Sequence, residues 1–228
     1  MAKGKKSTPE EDNLQLVEGA LSKSEQFIED NSKILTTVLG VIIAVIAIYL
    51  AYSKFYVEPR QDAALSEMFF AEQYFETDSF NLALNGDGNN MGFLYIIDEY
   101  GSTKSGNLAQ YYAGISYLNL GEFDLAIKHL KSFSAKDPML SAMSNGAIGD
   151  AYSELGNNSE ALSYYKKAAS FKNDFATPMY LFKAAQLAEL NGDHAAALKM
   201  YEEIEKDYSN STEARNIKKY ITRAKLNS

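Results

Sequence analysis

Three stretches of this chain repeat one another in register, and that periodicity limits the fold more than any single motif. They are YYAGISYLNLGEFDLAIKHLKSF (Tyr111 to Phe133), GAIGDAYSELGNNSEALSYYKKA (Gly146 to Ala168) and LFKAAQLAELNGDHAAALKMYEEI (Leu181 to Ile204). Gly121, Gly156 and Gly192 stand 35 and 36 residues apart; Ala126, Ala161 and Ala197 keep the same steps, as do Leu130, Tyr165 and Tyr201. Each stretch reads as a helix A, a glycine turn and a helix B. Glycine suits the turn because it takes positive φ without a Cβ penalty. A small residue on helix A lets helix B approach closely, an alanine on helix B keeps the spacing short, and the large Leu or Tyr fills the gap. One such hairpin cannot bury its apolar face alone, so neighbours must stack into a continuous core. The expected class is all-α.

The pattern resembles the tetratricopeptide repeat, a helix-turn-helix unit of about 34 residues. In the first unit Gly114, Tyr117, Ala126 and Pro138 occupy the Gly, Tyr, Ala and Pro signature positions. Gly149, Tyr152 and Ala161 do so in the second, where Asn173 replaces the proline. The third carries Ala185 and Ala188 in place of Gly and Tyr, and the signature Trp is absent throughout. Repeats are expected over about 107–140, 142–175 and 178–210. The resemblance implies a ligand groove lined by the A helices. It places Leu108, Tyr111, Ile115 and Leu118 there from the first repeat, Met143, Asp150 and Ser153 from the second, and Met179, Phe182, Gln186 and Glu189 from the third. Part of this set is expected to pack between repeats instead. It contains no Lys or Arg, so the basic clamp that some members use for C-terminal carboxylates has no counterpart. A groove this apolar and aromatic suits extended or helical hydrophobic segments.

An irregular hairpin is expected before the repeats, over 62–100. Ala64, Met68, Ala71 and Phe75 share one helical face; the tract Asn85 to Asn90 reads as a flexible connection; FLYIIDEY then supplies a second helix ending at Gly101. After the repeats, 212–226 reads as a solvating C-terminal helix, with Ala214, Ile217, Ile221 and Ala224 at helical spacing among Arg215, Lys218, Lys219 and Arg223.

Between Lys33 and Lys54 lie twenty residues without a charge, ILTTVLGVIIAVIAIYLAYS. A helix of that length matches the roughly 30 Å hydrocarbon core of a bilayer, and Val38 to Ala51 has no polar stripe. Tyr49, Tyr52 and Tyr56 sit toward one end, as an interface belt would. The run is long for a signal peptide, and the 33 residues before it carry seven acids against five lysines. A buried core helix would need a comparably apolar partner, and the chain offers none. The expectation is one transmembrane helix over 34–53, with the repeat domain over 55–228. Lys23 and Lys33 before the span balance Lys54 and Arg60 after it; the distal Lys3, Lys5 and Lys6 tip the balance toward an inside N-terminus. Within the arm over 1–33, Met1 to Asp12 reads as a polar, disordered tract. Asn13 to Asp30 reads as an amphipathic helix, either resting at the membrane surface or docking a membrane partner.

The net charge of −8 argues against nucleic acid as a partner. The absence of cysteine excludes disulfides and thiolate chemistry. His129 and His194, the two histidines, have no ligand-spaced neighbours, and no nucleophile elbow, zinc-protease or nucleotide-loop motif occurs. The Asn85 to Asn90 tract lacks the acidic spacing of an EF-hand and the lysine of a P-loop. No enzyme activity and no cofactor are expected.

Inside arm, single anchor, irregular hairpin and three repeats together resemble the YfgM-like ancillary subunits of the bacterial SecYEG translocon, over roughly Lys33 to Ser228. The resemblance implies a cytoplasmic-membrane protein with periplasmic repeats, whose partners are translocon subunits, exported polypeptides or periplasmic chaperones. The longer N-terminal arm departs from that family's short leader. The alternative reading is an envelope scaffold serving cell division or outer-membrane assembly.

Overall fold

The structure, a computed structural model, describes residues 25–227. The Met1 to Asp12 tract, and the amphipathic segment as far as residue 24, lie outside the described residues. The chain divides into two units, Met1–Tyr56 and Val57–Ser228.

In the first unit residues 25–30 are helical, and α1 runs over Ser32–Tyr52 with none of its residues buried. It is long and apolar enough to cross a membrane. Its two threonines return their hydroxyls to the helix: Thr36 donates to the Ser32 carbonyl at 2.6 Å and Thr37 to that of Lys33 at 2.8 Å. That removes two polar groups from the surface the helix presents. A π-helical turn, Ser53–Val57, comes next in the chain.

The second unit begins with α2 (Glu58–Glu76), α3 (Phe80–Asn85) and α4 (Phe93–Tyr100). Three hairpins follow: α5 (Lys104–Asn119) with α6 (Phe123–Ser132), α7 (Pro138–Glu154) with α8 (Asn158–Ala169), and α9 (Ala176–Leu190) with α10 (His194–Asp207). A 3-10 turn (Glu213–Asn216) and α11 (Ile217–Leu226) close the unit. Among the described residues there is no strand, only an isolated bridge between Gly86 and Met91.

The hairpin turns share one hydrogen-bond pattern. Gly121, Gly156 and Gly192 have φ of 79°, 72° and 81°. Each glycine N–H donates to the carbonyl three residues back, and the next N–H to the carbonyl five residues back: Glu122 to Tyr117 at 2.9 Å, Asn157 to Tyr152 at 2.8 Å, Asp193 to Ala188 at 2.9 Å. This is the Schellman arrangement, which satisfies carbonyls that a helix end otherwise orphans. Asn157 and Asp193 then accept from the Glu160 and Ala196 N–H groups, so the residue leaving one helix caps the next.

Small residues set the distance between A and B helices. A Cβ on Gly114 would lie 2.5 Å from Leu130 Cγ, and one on Gly149 would lie 2.6 Å from Tyr165 Cδ1. Ala126, Ala161 and Ala197 are completely buried on the B helices. The resulting core runs from α7 through α11, where Tyr201, Ile204 and Ile217 are among the largest fully buried side chains.

Two segments differ from expectation. The hairpin over 62–100 is a three-helix unit, because α3 intervenes; six residues are too few to show a helical period. The Asn85 to Asn90 connection is held rather than loose. Asp87 accepts from the Asn89 and Asn90 N–H groups at 2.8 and 2.7 Å and from the Tyr74 hydroxyl at 2.8 Å. The bonds from Asn90, Tyr74 and Asn89 hold the Asp87 carboxyl well below the usual range. At the far end, the helix expected over 212–226 is broken at Asn216, with Ile217, Ile221 and Ala224 buried beyond the break.

Gly149→Ala should destabilise the repeat unit by about 1–3 kcal/mol, because helix α8 must back away from the added methyl. Gly121→Ala should cost about 1 kcal/mol through its backbone alone, since nothing crowds that position. Urea unfolding followed by circular dichroism distinguishes the two; equal midpoints would refute the close-approach account.

Candidate functional site

The eleven positions assigned to the groove do not share one surface. Tyr111 is only 9% exposed and belongs to the core beneath α6 and α7, its ring 5.3 Å from that of Phe133. Leu108, Ile115 and Leu118 are half-buried against the same cluster. Met143 is half-buried on α7. Met179 and Phe182 pack on the C-terminal core; Phe182 meets Tyr220 of α11 edge-on at 4.8 Å and Tyr201 at 5.8 Å. Gln186 and Ser153 are exposed.

Leu118, Asp150 and Ser153 come together, lining a cleft of about 530 Å³ with Phe123, Tyr165 and Lys183. Its floor is polar rather than apolar. Asp150 Oδ1 accepts from the Tyr165 hydroxyl at 2.7 Å and from Lys183 Nζ at 2.6 Å. The ammonium also stands 5.7 and 6.0 Å from the Tyr165 and Tyr180 ring centroids. Burial, and after it the Asp150 charge, pushes the Tyr165 hydroxyl far above its ordinary value, so it stays a donor. The expected groove, which held no Lys or Arg, therefore gains one from a position outside the set. Its signal in the sequence is spacing: Lys183 follows Asp150 by 33 residues, nearly one repeat.

The same device recurs at the next joint. Tyr201, the helix-B equivalent of Tyr165, donates to Glu189 Oε2 at 2.8 Å. Arg223 of α11 donates through Nε to Oε1 at 3.0 Å and through a second guanidinium nitrogen to Oε2. Glu189 follows Gln186, the register equivalent of Asp150, by one further helical turn, and its longer side chain takes the bidentate partner. Glu189 is thus engaged by the C-terminal helix. Burial works to raise its carboxyl pKa, but the bonds from Arg223 and Tyr201 outweigh it and hold the group below its ordinary value. His129 packs in the interior: Nδ1 lies 2.7 Å from Gln110 Oε1, and the ring stacks on Tyr117 at 5.3 Å. Burial, then the nearby Lys128 charge, keeps it toward the neutral form. Among the described residues no group of three His, Cys, Asp or Glu is placed to hold a metal.

Because the folded Glu189 carboxyl is the more acidic one, its stabilisation is complete above the ordinary value of about 4.5 and fades as pH falls through the lowered one. Glu189→Gln should cost about 1 kcal/mol at neutral pH and shrink the loss of stability on acidification. Urea midpoints measured between pH 7 and about pH 3 test this; an unchanged acid limb would refute it.

With the geometry in place, comparison with known proteins gives the fold a name. The tetratricopeptide-repeat family model matches residues 111–174 and 147–212. Two solved structures of TPR-like repeats, from a Podosopora anserina protein named for the kinesin light chain, align with a TM-score of 0.53 and 14% identity. One of them is a point variant of the other; the alignments cover 71% of this chain and 84% or 85% of those chains. At that identity the likeness is one of fold. No curated protein matches the chain significantly. The repeated hairpins after α4 are tetratricopeptide repeats.

Proposed function

We propose that this protein is a non-catalytic, membrane-anchored adaptor, and that its repeats assist exported polypeptides or their periplasmic chaperones beside the Sec translocon. The observation that carries the reading is the uncharged run ahead of the repeats: α1 is long and apolar enough to span a bilayer and has no buried residue. Tetratricopeptide repeats generally bind other proteins, and the cleft around Asp150 and Lys183 sets polar groups beside the apolar side chains of Leu118 and Phe123. The lysine balance favours an inside N-terminus, which puts the repeats in the periplasm of a bacterial cell. Tethering raises the local concentration of the groove, so weak contacts suffice.

The protein should stay in the membrane pellet after alkaline carbonate washing and co-isolate with translocon subunits in mild detergent. A photo-crosslinker at exposed Gln186 or Ser153 should capture exported chains. Release by carbonate would remove the anchor. Crosslinks confined to resident division or outer-membrane assembly proteins would replace the translocon reading with a scaffold.

A further inference from the structure

The outer face of α2 combines exposed aromatic area with charge of one sign. Ala64, Met68 and Ala71 turn the other side of the helix into the core. On the outer side Glu58, Asp62, Leu65, Phe69 and Glu76 are exposed, with the half-buried Glu72 at the rim toward Tyr112. Together they recur in steps of four and three, the spacing of a helix-pairing seam. Leu65 is 63% exposed and Phe69 55%, and Phe70 beside them is 40% exposed. Two acids flank the apolar pair on each side. Residues 57–100 hold nine acids and a single base, Arg60, and Arg60 pairs with Glu99 at 3.0 Å. Among the described residues no Lys or Arg forms an ion pair with any of the four seam carboxylates. Burial, and after it the Glu76 charge, pushes the Glu72 carboxyl up, partly offset by a hydrogen bond from Tyr112. Exposed apolar side chains between charges of one sign favour a ligand of the opposite sign with an apolar centre.

We propose that the α2 seam docks a cationic amphipathic helix, with apolar residues over Leu65 and Phe69 and Lys or Arg one to two turns to either side. Charge excludes the simpler occupants. A second α2 would set acids against acids in either direction, because both ends of the seam are acidic. The basic α11 of a second copy keeps Ile217, Ile221 and Ala224 buried and has no apolar centre to offer. Anionic headgroups would meet four carboxylates. The inference does not depend on the translocon reading, since it rests on α2 alone.

The test uses the full chain in zwitterionic nanodiscs and two labelled 20-residue helical peptides. Both carry leucines at the central seam positions; one has lysines and the other glutamates at the outer ones. Fluorescence anisotropy should show the lysine peptide binding at least about tenfold tighter at low salt, with the preference falling as salt rises. Phe69→Ser should weaken lysine-peptide binding by about tenfold, and Asp62→Lys should reduce the preference while circular dichroism stays unchanged. Equal binding of the two peptides, or indifference to both substitutions, would overturn the proposal. So would a wild-type dimer that Phe69→Ser dissolves, or a fluorophore at position 69 that proves to be shielded by lipid.

Discussion

The approach of helix A to helix B is the constraint from which the repeat unit follows. Gly114 against Leu130 and Gly149 against Tyr165 leave no room for a methyl group. Hairpins this tight bring their backbones together but enclose little apolar surface of their own. The remainder has to be buried by the neighbouring hairpin, which is why the core is continuous from α7 to α11 and why α11 is needed to finish it. The Schellman turns serve the same end: they reverse the chain in few residues while satisfying carbonyls that the helix end would otherwise orphan.

Polar chemistry is layered on that frame at the joints between repeats. Asp150 and Glu189 each take a hydroxyl from a helix-B tyrosine of their own hairpin and a cation from the following one. Each carboxylate thereby gains its cation only when the element that follows, the third hairpin or α11, is docked. An apolar interface alone tolerates sliding by a helical turn; a partly buried carboxylate that must find both partners does not. The polar ladder thus fixes register where the hydrophobic core supplies cohesion.

The elements that were legible in the sequence are those that recur. Turn glycines, helix-B alanines and the Leu or Tyr between helices announce themselves because the chain repeats them, and each occupies the place its spacing implies. What was not legible depends on one neighbour at one joint. Tyr111 looks like a groove residue until α7 covers it. Phe182 and Glu189 look available until Tyr220 and Arg223 of α11 meet them. Lys183 is silent as a lone charge and becomes informative only beside an acid 33 residues earlier. Helix α2 hid its second face for a different reason: the stripe of Ala64, Met68, Ala71 and Phe75 already accounts for a core face, and Leu65 and Phe69 lie outside it.

That second face also marks where the ladder stops. At the two later joints Asp150 and Glu189 each meet a cation 33 or 34 residues downstream. The same steps from Asp62, Glu72 and Glu76 reach Tyr95 or Ile96, Ser105 or Gly106, and Ala109 or Gln110, none of them basic. The one base in residues 57–100 is committed to Glu99, and Gln61 beside it caps α5 through the Lys104 and Ser105 N–H groups. The inner side of α2 is therefore built to hold the first helices of the unit together. Its outer side retains charge and apolar area that no cation of the repeats pairs with, and a cationic partner from outside the chain supplies there what Lys183 and Arg223 supply at the two later joints.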